Sequence, residues 1–305
     1  MNKIIVIAGP TAVGKTDISI DVAKKLETEI ISCDSVQIYK ELDIGSAKPT
    51  QIEMQGVKHH LIDFLAPNQS YSVSEYQRDA KAIIAELHEA GKVPIVTGGT
   101  GLYVNALTYD MSFGKAASDD AYRLELEQIV REEGNEAVYG MLKAIDSAAA
   151  EKIHPNNVRR VIRALEINKM SGKTKGDFTN DPVKTSDYEV SLIGLTRNRL
   201  KLYARINSRV DMMIDAGLID EVESLKNMGL DDSFQSMQGI GYKEVLAYLN
   251  GIYDRETMIS LLKQNSRHYA KRQMTWFRRY GEMKWIDLET VDSREDVVEA
   301  ILATI

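Results

Sequence analysis

Eight residues near the amino terminus, Gly9-Pro10-Thr11-Ala12-Val13-Gly14-Lys15-Thr16, fit the pattern G-x-x-x-x-G-K-[ST]. This pattern constrains fold and ligand together. Ahead of it, Ile4-Ile5-Val6-Ile7-Ala8 is a β-branched run that reads as a buried parallel strand. Behind it, Thr16 to about Leu26 carries helical spacing. A strand feeding a glycine-bearing loop and then a helix turns several backbone N–H groups onto one point, at the positive end of the helix. Lys15 adds a mobile ammonium, and Thr16 a hydroxyl suited to a magnesium ion. Chance matches arise in roughly one chain in a hundred, taking glycine as about 7% of residues. The strand–loop–helix context makes chance rarer still. A di- or triphosphate group is the expected ligand of Gly9, Pro10, Thr11, Ala12, Val13, Gly14, Lys15 and Thr16, with Thr16 the metal-binding position.

The rest of the chain extends the same architecture. Ile30 to Cys33 reads as a second buried strand, ending at Asp34. Ser72 and Glu75 make a capping box that opens a helix through about Ala90. Gly91 suits its stop, and Val93 to Thr97 is a third strand. From about Ala116 to Gly172 only helical periodicity is visible, with Pro155 expected in the first turn of a helix running to about Met170. Residues 172–186 read as a loop, and Val190 to Leu195 as a strand returning to the sheet. Helices are expected over Asn198–Ala216, Ile219–Met228, Tyr242–Asn250 and Arg255–Tyr280, then a strand over Lys284–Leu288 and a final helix opened at Asp292. The fold class is α/β: a P-loop-type parallel sheet covered by helices over 1–115 and 187–305, with an inserted all-helical subdomain over 116–186.

Composition excludes other classes. With 44% hydrophobic and 27% charged residues in 305, the chain is neither disordered, collagen-like nor a disulfide scaffold. Cys33 is the single cysteine, so no internal disulfide forms and a reducing cytoplasm is expected. No apolar run approaches the roughly 18 residues a membrane span needs. The net charge of −7 argues against a protein coated in nucleic acid, yet the charge is unevenly spread. Asn156–Gly176, Arg197–Arg209 and Lys263–Lys284 are each strongly basic. Three such stretches in an acidic chain suggest a polyanion bound on one side.

ATP in a kinase or NTPase is the default client of a phosphate loop. Two features argue otherwise. The strand ending at Thr97 runs into Gly98-Gly99-Thr100-Gly101 and offers no carboxylate for magnesium, and no base-specifying motif is present. Asp34 sits where open α/β sheets place ligands, followed by Ser35, Val36 and Gln37. It can take a proton and read a flat polar edge, or simply cap a turn. His59 and His60 lack partners at metal-ligand spacing and read as structural, and Cys33 as core.

A larger set of motifs occurs in a fixed order. Besides Gly9–Thr16 it comprises Asp34-Ser35-Val36-Gln37-Ile38-Tyr39, Asp43-Ile44-Gly45-Ser46-Ala47-Lys48-Pro49, His59-His60-Leu61-Ile62-Asp63 and Gly98-Gly99-Thr100-Gly101-Leu102-Tyr103. Ile153-His154-Pro155-Asn156, Arg163-Ala164-Leu165-Glu166, Gly239-Ile240-Gly241-Tyr242-Lys243 and Lys271-Arg272-Gln273-Met274-Thr275-Trp276 complete it. Over nearly its whole length the chain resembles the tRNA dimethylallyltransferase family in its bacterial form. The resemblance implies transfer of a dimethylallyl group from dimethylallyl diphosphate to N6 of the adenosine 3′ of the tRNA anticodon. It implies a magnesium ion, Asp34 as catalytic acid–base, and Lys15, Thr16 and Arg209 on the diphosphate, with Arg205 competing for the last role. It also implies that Asp34, Ser35, Val36, Gln37, Thr100, Arg123, Arg159, Arg160, Val161, Ile162, Arg163, Gln238, Gly239, Ile240, Gly241, Tyr242 and Lys243 contact tRNA. A monomer with no membrane association is expected. A small-molecule kinase using ATP and a non-catalytic RNA-binding protein are the competing readings.

Overall fold

The computed structural model describes residues 2–111, 119–171 and 183–304. In chain order the elements are β1 (Lys3–Ala8), α1 (Lys15–Lys25), β2 (Ile30–Cys33), α2 (Gln51–Met54), β3 (His59–His60), α3 (Val73–Glu89), β4 (Ile95–Gly98) and α4 (Gly101–Thr108). Then follow α5 (Asp120–Glu133), α6 (Asn135–Ile145), α7 (Ser147–Lys152), α8 (Val158–Ser171), β5 (Glu189–Thr196), α9 (Arg199–Asp215) and α10 (Leu218–Asn227). The chain closes with α11 (Tyr242–Leu249), α12 (Arg255–Phe277), β6 (Lys284–Asp287) and α13 (Arg294–Leu302). Among the described residues the six strands form one parallel sheet, ordered β3-β2-β4-β1-β5-β6.

Two compact units result: Met1–Thr108 with Thr185–Ile305, and Tyr109–Lys184. In the first, Ile4 to Ala8 are fully or almost fully buried, as a central parallel strand covered on both faces requires. Register fixes the site. Gly98 of β4 pairs with Ala8 of β1 on one side and Cys33 of β2 on the other. The phosphate loop, Asp34 and Gly99 therefore leave the sheet side by side, at the carboxyl edge where open α/β sheets bind ligands.

The α3 capping box is present: Ser72 Oγ accepts from Glu75 N at 3.2 Å and Glu75 accepts from Ser72 N at 2.7 Å. At the other edge of the sheet, Glu29 accepts hydrogen bonds from Lys92 at 2.7 Å and bonds His60 at 2.7 Å, with Lys58 at 3.3 Å. The Lys92 bond, reinforced by His60 and Lys58, holds the carboxyl down at about 2 from an ordinary value of 4.5. A depressed carboxylate contributes stability above its unfolded value and loses it as pH falls through the folded one. Glu29→Gln should lower the urea midpoint at pH 7 and have a vanishing effect near pH 2. An equal loss at both pH values would count against this account.

The second unit is helical. Leu126, Val138, Leu142, Ile153, Val161, Ile162 and Leu165 are among its core residues. Glu166 is fully buried there, held by Arg123 at 2.8 Å and Arg163 at 3.0 Å. Pro155 does not open a helix. His154 O accepts from Asn157 N at 2.8 Å in a turn, and α8 starts at Val158, where Asn157 O takes the first helical N–H groups. Most of the expected 172–186 loop lies outside the described residues.

Candidate active site

Gly14 stands at the N-cap of α1 with φ +113°, a left-handed conformation that a side chain would strain, and no side chain caps the helix. The first-turn N–H groups of α1 are thus left for a ligand. Outside the loop, Arg205 Nε donates to Ala12 O at 2.9 Å and Arg197 Nε to Val13 O at 2.9 Å. Val13 itself is buried in the sheet core. Both Arg205 and Arg209 line the cavity, but Arg205 is bound to the loop backbone, whereas Arg209 makes no hydrogen bond or ion pair with any described residue. Burial pushes the Arg209 guanidinium down, and the Arg205 charge adds to this. Lys15 Nζ donates to Pro10 O at 2.9 Å. Burial lowers Lys15 to about 8, partly offset by the negative charge of Asp34.

Asp34 accepts from Val36 N at 2.9 Å and Gln37 N at 3.3 Å through Oδ1. The turn-capping alternative is thus true of one oxygen. Oδ2 takes no hydrogen bond from any described residue. Ser35 N donates to Thr100 Oγ1 at 3.1 Å. Gln37 Nε2 donates to Ser46 O and Ala47 O, both at 3.1 Å, so its Oε1 is the atom left to read a ligand. The 43–46 turn is held from α10, where Glu221 accepts from Asp43 N, Ile44 N, Gly45 N and Tyr242 Oη at 2.7–3.1 Å.

These groups surround one cavity of about 770 Å³, a size typical of small-molecule sites. Thr11, Ala12, Gly14, Lys15 and Thr16 line it, as do Asp34 to Gln37, Arg209, Gln238 to Ile240 and Lys243. Tyr269, Arg272 and Gln273 of α12, absent from the sequence expectations as site residues, also line it. Tyr242 is fully buried and donates to Glu221, so it shapes the wall rather than meeting a ligand. Val161 and Ile162 point into the core of the helical unit, and Arg123 and Arg163 are engaged with Glu166. Arg159 and Arg160 are exposed on α8. Among the described residues no group of three or more His, Cys, Asp or Glu is placed to hold a metal. The Thr16 side chain is exposed to the cavity. No described helix is long and apolar enough to cross a membrane.

The sheet order, the loop motif and the cavity define an α/β protein of P-loop type, with the Asp34 carboxylate and the loop on one cavity. The IPP transferase family model matches residues 37–280. The chain is 51% identical over 303 residues to the tRNA dimethylallyltransferase of Alkaliphilus metalliredigens, covering 99% of this chain and 97% of that one. The solved tRNA isopentenylpyrophosphate transferase of Bacillus halodurans is 46% identical, with TM-score 0.75 over 100% of this chain and 97% of the other. A eukaryotic dimethylallyltransferase acting on tRNA gives TM-score 0.83 at 29% identity, over 99% of this chain and 78% of the other. The chain belongs to the tRNA dimethylallyltransferase family. The kinase reading is not favoured.

Proposed function

We propose that this enzyme transfers a dimethylallyl group from dimethylallyl diphosphate to the exocyclic N6 of the adenosine 3′ of the anticodon, position 37, in tRNA. The observation that carries the proposal is the convergence of the phosphate loop, Arg209 and Asp34 on one cavity. The N6 amine is a weak nucleophile because its lone pair is delocalised into the purine. A carboxylate bonded to N6–H orients that amine and takes its proton as the N6–C1 bond forms. The C1–O bond to diphosphate breaks in the same displacement. Backbone N–H groups of the loop, Lys15 and Arg209 meet the charge that grows on the leaving diphosphate.

A magnesium ion fits this donor set as a diphosphate-borne ion. Thr16 would hold it together with phosphate oxygens and water, which suits a cation that keeps much of its hydration shell. It would supply further charge neutralisation on the leaving group. The target base must leave its stack to reach the carboxylate, and Gln37 lines the cavity beside that position, while Thr100 acts from behind by holding Ser35 N at 3.1 Å. Arg159, Arg160, Arg163 and Lys243 serve the RNA backbone, and Arg123 supports them through Glu166. The protein works as a cytoplasmic monomer.

Labelled dimethylallyl diphosphate, mixed with the protein and an unmodified anticodon stem-loop, should label the RNA without ATP. Unlabelled RNA together with ATP-dependent phosphorylation of a small molecule would overturn the reading. The Lys243 side chain is 44% exposed and meets Glu244 only at 3.6 Å. Lys243→Ala should weaken stem-loop binding and lower the salt slope of log K by about 1. An unchanged slope would remove Lys243 from the RNA interface.

A further inference from the structure

Gln273, on α12, is 5% exposed. Both atoms of its amide are engaged, and with groups far away in the chain. Oε1 accepts from Thr11 N at 2.8 Å, and Nε2 donates to Gly99 O at 2.9 Å. A flipped amide would set donor against donor and acceptor against acceptor, so the orientation is fixed. A Cβ at Gly99 would lie 2.1 Å from Nε2. Glycine at 99 therefore makes room for this amide.

The consequence lies in the Pro10–Thr11 peptide. In a trans peptide the C=O and the following N–H point to opposite sides. With its N–H turned onto Gln273, the peptide turns Pro10 O the opposite way, where it accepts from Lys15 Nζ at 2.9 Å and Val13 N at 3.4 Å. Arg205 and Arg197 brace the Ala12–Val13 and Val13–Gly14 peptides, but each acts on the loop by a charge at its rim. Gln273 is neutral and buried, and it alone of the three joins the phosphate loop to the adjacent Thr97–Gly101 loop. We propose that Gln273 is a positioning residue for diphosphate binding: it fixes the Pro10–Thr11 peptide, and through it the seat of the Lys15 ammonium and the separation of the two loops. The proposal rests on the reading that Gly9–Thr16 holds the diphosphate.

Gln273→Met keeps the bulk of the side chain and removes both hydrogen bonds. Binding of inorganic pyrophosphate, measured by calorimetry, should weaken about tenfold or more, the scale of one lost well-placed contact. KM for dimethylallyl diphosphate should rise in parallel, while stem-loop affinity stays within about twofold. A purely structural role would lower the melting temperature without this split between the two substrates. Gly99→Ala perturbs the same contact from its other side and should have the same effect. The double variant should be no weaker than the worse single one, because both changes break one interaction. Should Gln273→Met not fold, Gly99→Ala reads the contact alone. Pyrophosphate binding within twofold of wild type in both variants would overturn the proposal, as would additive losses. Failure of the wild-type protein itself to bind pyrophosphate would instead overturn the phosphate-loop reading underneath.

Discussion

Asparagine in place of Asp34 should slow transfer to RNA by about 10²-fold or more, the scale of a lost general base. Stem-loop binding should change little. The substitution is nearly isosteric, and asparagine Oδ1 can still accept from Val36 N and Gln37 N, so the turn survives. What is lost is a proton acceptor at the second oxygen, where Nδ2–H would now face N6–H. Pyrophosphate affinity should hold or improve. Asp34 carries a negative charge near enough to Lys15 to raise that ammonium's pKa, and so near enough to repel an incoming diphosphate. Single-turnover kinetics with saturating RNA separate these effects. A rate within tenfold of wild type would mean that Asp34 is only a turn cap.

The sheet was readable because its central strands are short β-branched runs buried on both faces, and because one motif ties the first of them to a helix. Ile30–Cys33 coincides with the observed β2, and Val93–Thr97 differs from β4 by two residues at its start and one at its end. β3 was not readable. It is two half-buried histidines with no alternation, paired to β2 through the backbone, with Glu29 also holding His60. Nor was α4, whose start at Gly101 follows a glycine-rich run that carries a turn signal. Pro155 misled for a definable reason: the first-turn rule fits any X-Pro near a helix, and here His154–Asn157 closes a turn of its own.

The site was legible where its residues are local in sequence and opaque where they act across it. Gly9–Thr16 and Asp34–Gln37 announce themselves. Gln273 lies 262 residues from Thr11, and Glu221 lies 178 from Asp43. Neither leaves a local signal, although Gln273 sits in a motif noted only for its resemblance. Charge clusters were visible but their use was not. In Arg197–Arg209, Arg197 and Arg205 hold the loop backbone, and Lys201 pairs with Glu289. A stretch that reads as a polyanion surface is thus partly internal bracing. The distinction between Arg205 and Arg209, one helical turn apart, required knowing which of the two already had a partner.

That distinction sets the second large effect, and it has opposite signs for function and stability. Arg209 is a half-buried cation beside the cavity, with no ion pair or hydrogen bond to any described residue and with Arg205 nearby. In the free protein it is a cost, since a desolvated charge gains nothing until an anion arrives. Arg209→Met should therefore stabilise the free protein by about 1 kcal/mol, or roughly 2 °C in melting temperature for a chain of this size. The same change should weaken pyrophosphate binding by about 10²-fold, because a charge-assisted contact in a partly desolvated site is lost. Pyrophosphate at millimolar concentration would then raise the melting temperature of the wild-type protein and leave that of Arg209→Met nearly unmoved. Arg205→Met should behave differently: it removes a bond to Ala12 O and so lowers the melting temperature of the free protein. If both variants are destabilised and both still respond to pyrophosphate, Arg209 is another brace, and the cation that meets the leaving group has to be Lys15 alone.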